Sequence, residues 1–309
     1  ASGCGLYCGT MRGYDRLITT SWHLPASVGA ERTIRHIETF DETDQFLFLH
    51  VTDVHPWNAK MVKIVEDVAA HLPLSERLFI ADPSIKSVHL PELEIYKQQF
   101  WKCLTYVDRS IGQLLAYIEE HFAEGEYIIN LYSDHGNSIF TPPREDGGVD
   151  VMSEYGTGAA WMMRGAGIPQ GVVSKELTSI VDIYPTLGRL CGFPAAPNID
   201  GNLPAVFGGR ARDAVYSMSM FPGQTYKLAV RNAAHVFRLE TEDPVDEDGS
   251  VDFAKAKMGI YTRTHDWVSA YETDSEDLRA FFYPRARDFI RTIANNGEFW
   301  PSMRATRRG

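Results

Sequence analysis

Cysteine and positive charge are both scarce in this 309-residue chain. Four cysteines, Cys4, Cys8, Cys103 and Cys191, do not make the disulfide framework of a small secreted domain. Cys4 and Cys8 lie in a glycine-rich start. Their gap is not the two-residue gap of a zinc knuckle, and no second pair completes a tetrahedral site. Cys103 and Cys191 fall inside apolar helical patterns and are expected as small core residues. Lysine and arginine number 30 against 41 acidic residues, a net charge of -11 and a pI near 5.4. An acidic surface repels nucleic acid and anionic membranes, which excludes both as expected partners. It does not exclude an anionic substrate, because a bound metal can invert the local field. No apolar run is long enough to span a membrane. No internal repeat and no signal-peptide pattern is present. The first residue is Ala1 rather than Met, so the missing signal pattern carries little weight and the compartment stays open.

What is present is a chain rich in core. Apolar residues make up 44%, and the length suits one large α/β domain or two smaller ones. Residues 30–40 repeat apolar positions at helical spacing, and residues 61–72 do the same. Residues 45–51 read as a buried strand. Residues 91–122 hold the longest helical pattern, with Phe100, Cys103, Val107, Ile111, Leu114 and Ile118 three or four apart. A strand, a helix and then a strand at 127–132 is the order of a right-handed crossover in a parallel sheet. Residues 138–154 read as a polar loop, 158–164 as a strand, and 177–190 as a helix with Pro185 as kink or restart. From residue 205 the texture changes to short strands at 214–220, 226–231 and 235–240. Pro222-Gly223 and Asn232 are the turns, residues 242–252 an acidic loop and residues 278–295 a final helix. The expectation is a mostly parallel α/β core over residues 1–204 and an antiparallel sheet with one helix over 205–309.

Chemistry concentrates in Tyr127–Asn137, Tyr-Ile-Ile-Asn-Leu-Tyr-Ser-Asp-His-Gly-Asn. A strand stops at Asp134-His135-Gly136. Adjacent side chains point to opposite sides of an extended backbone, so both reach one ligand only where the chain turns, and Gly136 permits that turn. A carboxylate beside an imidazole at a strand end suits half of a divalent-metal site. A polar strand end with a hydrogen-bonded histidine is the plainer alternative. His55 follows the strand at 45–51, with Asp53 two residues before it as a simple partner. His50 is expected in the core. Asp108 and Asp182 are expected to be structural, Asp182 by capping or bridging. Trp57 and Tyr155 read as packing aromatics that could also touch a substrate.

Several of these segments, in order, resemble the sulfatases of the alkaline phosphatase superfamily. Ser133-Asp134-His135-Gly136 is similar to their Ser-Asp-His-Gly segment, and Phe46–Trp57 to the strand ending in Asp-x-His-x-Pro. Tyr106–Leu115 is similar to the helix before the Asp-His-Gly strand. Val181–Gly192 is close to the Asp-Ile-x-Pro-Thr-Leu helix, and Ile199–Leu203 to the Asp-Gly-x-Ser-Leu turn. Met11-Arg12-Gly13-Tyr14-Asp15-Arg16 resembles the family's Gly-Phe-Asp segment. The resemblance implies metal-dependent sulfuric ester hydrolysis. Asp134 and His135 would be metal ligands, His55 the leaving-group acid or a sulfate contact, and the metal calcium first, with magnesium or manganese as alternatives. The substrate would be a sulfated small molecule or glycan.

The chain also departs from the family. It has no Cys-x-Pro-Ser-Arg, where the family makes its formylglycine nucleophile, and no early pair of aspartates to complete the metal site. Cys8-Gly-Thr-Met-Arg12 keeps only the Cys and Arg spacing, so Cys8 is a poor nucleophile candidate. The usual lysine after Asp-His-Gly is missing as well; residues 138–160 hold Arg144 but no Lys. The expectation is therefore a middle and C-terminal sulfatase fragment, weak or inactive alone, that self-associates or pairs with a separate N-terminal part. Two alternatives remain open. One is a catalytically dead sulfatase-like binding module. The other is a phosphoester or phosphonoester hydrolase, or phosphotransferase, of the same superfamily.

Overall fold

The computed structural model describes residues 14–16, 24–54, 93–137, 152–219, 225–244, 253–263 and 271–295. The expected helix at 61–72, the turn at Pro222-Gly223 and most of the acidic loop lie outside them, as do Cys4, Cys8, His55, Trp57 and Arg144. The chain divides into two compact units, with the break between Tyr127 and Ile128.

Among the described residues, the first unit is built on a helix pair. Helix α1 (Ala26–Thr39) packs on α2 (Leu93–His121). Ala30 and Ile37 meet Leu114, with Ile34, Leu49, Tyr117 and Ile118 around them. On α1 these apolar positions are three or four apart, which puts them on one stripe. Pro25 stands at the N-cap and has no side chain that can cap. Asp53 replaces it: buried, its Oδ2 accepts the Ala26 amide at 3.1 Å. Gly29 lets Leu49 close in, since a Cβ there would lie 2.8 Å from Leu49 Cδ1. Residues 44–52 nevertheless form no ladder among the described residues. Phe46 and Phe48 are 68% and 55% exposed, and His50 is exposed. The buried strand at 45–51 and the core placement of His50 are thus corrected. Leu49 is tucked against the helices, and its neighbours on either side have no covering layer among the described residues.

The second unit begins with a two-stranded ribbon, β1 (Ile128–Tyr132) against β2 (Trp161–Gly165), antiparallel from Ile128↔Gly165 to Tyr132↔Trp161. A single helical turn, α3 (Glu154–Thr157), precedes β2. The 3-10 turn Ile180–Asp182 runs into α4 (Ile183–Cys191). Pro185 sits in the first turn of α4, where a missing N–H breaks nothing, so it marks a restart. Gly192, at φ 77°, ends α4 in the left-handed region and donates its N–H to Gly188 O. Cys191, the last residue of α4, is exposed, whereas Cys103 is buried in α2 as expected. Its apolar spacing on α4 did not carry it under cover at the helix end.

A five-stranded meander completes this unit: β3 (Val215–Ser219), β4 (Thr225–Arg231), β5 (His235–Pro244), β6 (Lys257–Thr262) and β7 (Tyr271–Glu272). Asn232 builds the β4–β5 turn, its Oδ1 accepting the amides of Ala234 and His235 at 2.9 and 2.7 Å. Alternation sends Tyr226, Leu228, Val230, Phe237, Leu239 and Ile260 to one face. Phe282, Ala286 and Ile290 of α5 (Glu276–Asn295) cover them. Burial pushes the Tyr226 phenol up to about 12. Ala229 and Val236 point the other way and are covered by Met152 and Tyr261. Every pairing among the described residues is antiparallel. The parallel ladder expected between 45–51 and β1 is not among them.

Candidate functional site

The site is built at the end of β1. Ser133 carries the rail one step further: its N–H donates to Ala160 O at 3.1 Å and its Oγ accepts the Ala160 amide at 2.9 Å. The chain then bends at Asp134 and His135. Gly136 returns to the body of the unit, donating its N–H to Gly156 O at 3.1 Å. The fit is close: a Cβ on Gly136 would stand 2.0 Å from Tyr155 O and 2.7 Å from Gly158 O. Only glycine allows that approach without moving backbone.

Asp134 and His135 are both exposed, with 77% and 64% of their side chains open. Asp134 Oδ1 accepts the His135 amide at 3.0 Å, which leaves Oδ2 outward. His135 Nδ1 lies 2.7 Å from Gly136 O. A carbonyl only accepts, so Nδ1 is the donor of this bond, and Nε2 is the ring nitrogen left for a ligand. Nε2 faces Asp134 Oδ2 at 3.5 Å. A carboxylate oxygen and an imidazole nitrogen thus face each other across a short gap open to solvent. Asp134 Oδ2 and His135 Nε2 are the atoms that would hold a divalent metal, which would supply a Lewis acid there. The Nδ1–carbonyl bond is the kind of outer contact that orients a ligating histidine. The donor pair therefore fits half of a divalent site. No group of three potential ligands occurs among the described residues.

Behind this corner stands α3. Buried Ser153 caps it, its Oγ accepting Gly156 N at 3.0 Å. Glu154 then makes two ion pairs, Oε1 to Arg231 Nε and Oε2 to Arg263 Nη2, both at 3.0 Å. Arg231 also donates to Met152 O at 2.5 Å and to Ser217 Oγ at 3.4 Å. Arg263 also donates to Asn232 O at 2.6 Å. Burial alone would raise the Glu154 carboxyl, but Arg231 and Arg263 outweigh it and hold the group below its ordinary value. Burial draws the Arg231 guanidinium down, with Glu154 opposing. Sequence reasoning missed this network. Ser153-Glu154 carries the signature of a capped first turn, but nothing local points to arginines 77 and 109 residues away.

Asp182, 1% exposed, has the capping and bridging part expected of it. It accepts the amides of Ser179 at 2.8 Å and Asn202 at 2.7 Å, and both of its oxygens take Arg212. Asp108 is an exposed residue of α2 and Tyr155 is half-buried. An open depression of about 430 Å³, lined in part by Lys175, Arg212, Asp213 and Phe281, includes neither Asp134 nor His135.

The sulfatase family profile matches residues 14–193. The chain belongs to the sulfatase family. No curated protein matches it in sequence. Among solved structures, this sulfatase-family chain is similar to a candidate sulfatase from Bacteroides thetaiotaomicron VPI-5482. The identity is 13% and the TM-score 0.58, over 94% of this chain and 70% of that one. It is also similar to a candidate sulfatase, yidJ, from Bacteroides fragilis. There the identity is 16% and the TM-score 0.55, over 80% of this chain and 53% of that one. At such identities the likeness is one of fold. The chain spans about half the length of the second of these structures.

Proposed function

We propose that this chain carries the Asp134–His135 half of a divalent-metal site and serves metal-dependent hydrolysis of a sulfuric ester. The substrate would be a sulfated small molecule or glycan. The observation that carries the reading is the corner after β1, in a chain of the sulfatase family. There Nε2 and Oδ2 stand 3.5 Å apart and the other ring nitrogen is already committed. Calcium is the first candidate, with magnesium or manganese next. His55 is proposed as leaving-group acid or sulfate contact on the strength of the resemblance alone. No nucleophile is assigned, and Cys8 is the first suspect should one be found.

Two donors hold an ion weakly, so the chain alone is proposed to be a weak or inactive catalyst. A two-stranded ribbon is also marginal by itself, and Leu131, Tyr132 and Met162 on it are exposed. An added strand would complete it. A second copy or an N-terminal part on another polypeptide is the proposed source of that strand. A second reading is a binding module that keeps the fold without the chemistry; the two exposed donors at Asp134 and His135, with no third potential ligand beside them among the described residues, favour it.

The test is hydrolysis of an aryl sulfate and an aryl phosphate by the purified chain with calcium, magnesium or manganese in turn. Asp134→Ala and His135→Ala are the controls. Slow, metal-dependent sulfate release lost in both variants is expected, and a preference for the phosphate would move the assignment to phosphoester chemistry. Turnover indifferent to both substitutions would sink the site. Metal binding without turnover would favour the module. A stable monomer with full activity would end the fragment idea.

A further inference from the structure

Glu154 lies outside the metal half-site, yet the backbone it anchors is the backbone the half-site leans on. The turn that starts at Glu154 supplies Gly156 O to the Gly136 amide at 3.1 Å. It also presents Tyr155 O and Gly158 O against the bare Cα of Gly136. Gly136 O in turn holds His135 Nδ1 at 2.7 Å. On its other side, Glu154 is gripped by Arg231 at the end of β4 and by Arg263 just after β6. The Arg231 and Glu154 side chains are only 5% and 12% exposed. Met152, on the same short stretch, packs under Ala229 and Val236 of that sheet. A continuous line of contacts thus runs from the meander through Glu154 and α3 to Gly136 and the imidazole of His135.

We infer that Glu154, clamped by Arg231 and Arg263, is a positioning residue that sets the orientation of His135 from the C-terminal sheet. The inference rests on the reading of Asp134 and His135 as metal ligands, and it assigns the meander a part in the site. Ion pairs buried in this way are poor sources of net stability but good devices for fixing one geometry. A contact that orients a ligand is worth about ten- to a hundred-fold in metal affinity.

The experiment uses the full chain as wild type, Glu154→Gln and Arg263→Met. Arg263 is the more exposed partner, so its variant remains usable if Glu154→Gln does not fold. Two readouts need no metal: amide exchange at Gly136, and the imidazole ¹⁵N shifts of His135, which report whether Nδ1 keeps its proton. The third is calorimetric titration with calcium alone and with manganese alone. In Glu154→Gln, Gly136 exchange is expected to rise about ten-fold through local opening, while Leu228 and Leu239 stay protected. The ¹⁵N pattern should move towards mixed tautomers, and the metal dissociation constant should weaken about ten-fold. Arg263→Met should show the same changes, smaller in size. Unchanged Gly136 exchange and unchanged His135 shifts in a folded variant would overturn the inference. A wild type that binds neither ion would overturn the metal reading instead, and the exchange and ¹⁵N results would still decide the positioning role.

Discussion

Asp182→Ala is the sharpest test of how the second unit holds together. The carboxylate is 1% exposed and carries three separate loads. It accepts the Ser179 amide ahead of α4, the Asn202 amide in the following loop, and the Arg212 guanidinium, whose side chain is 18% exposed. Arg212 also reaches Asp200 O at 2.8 Å, so the substitution leaves it one neutral acceptor. Removing one partner of a buried pair costs about 3–5 kcal/mol. Each stranded amide adds about 1–3 kcal/mol where water cannot replace the lost acceptor. The loop at Asn202 is half-buried, so water recovers part of that loss. The expectation is about 4 kcal/mol for Asp182→Ala and about 3 kcal/mol for Asp182→Asn, which keeps one acceptor. Against a total of about 5–15 kcal/mol for a domain, that is a large fraction. The chain has two units, so a single denaturation midpoint could mix them. Urea unfolding should therefore be followed together with amide exchange at Ser179 and Asn202. Added salt should change the difference little, because buried charges are poorly screened. A loss below about 1 kcal/mol in Asp182→Ala would show that the carboxylate is replaceable and would refute the reasoning.

Gly136→Ala should destabilise the second unit by about 2–3 kcal/mol, because the new methyl meets backbone rather than a flexible side chain. Gly112→Ala, where the new Cβ meets nothing within 4 Å on α2, should instead gain about 0.5–1 kcal/mol; opposite signs in urea titrations check the pair. Acid should act through Glu154. Its folded value lies below the ordinary 4.5, so its contribution is fully present above that pH and is lost as pH falls through the lowered folded value. The stability gap between wild type and Glu154→Gln should stay constant from pH 7 to about 5 and close only below the ordinary carboxylate range. A gap that closes near neutral pH would point to a histidine.

Periodicity carried the reading where an element covers its own stripe. The helices α1, α2 and α5 and the strands β3, β4 and β5 lie close to where apolar spacing put them. It failed where burial depends on a partner. Phe46-Leu47-Phe48 has the composition of an inner strand, but composition does not supply the neighbour that would cover it. Helix α3 is four residues long, too short for any period to register. Strand β6, with Gly259 in its middle, offers little alternation to read. The turn at Asp134, His135 and Gly136 was legible because it is local, whereas the ligand role of Asp134 and His135 stays a proposal. Glu154 with Arg231 and Arg263 was not legible, because it exists only once distant segments meet.

The order of the meander has a kinetic consequence. Each strand from β3 to β7 pairs with the next in sequence, so its ladders close short loops and can form early. Arg231 and Arg263 find Glu154 only across 77 and 109 residues. Substitutions inside the sheet, such as at Phe237, should therefore slow folding, and substitutions at Glu154 should mainly hasten unfolding. On this reasoning the sheet forms first as local hairpins, and the corner that holds His135 is expected to be fastened to it last.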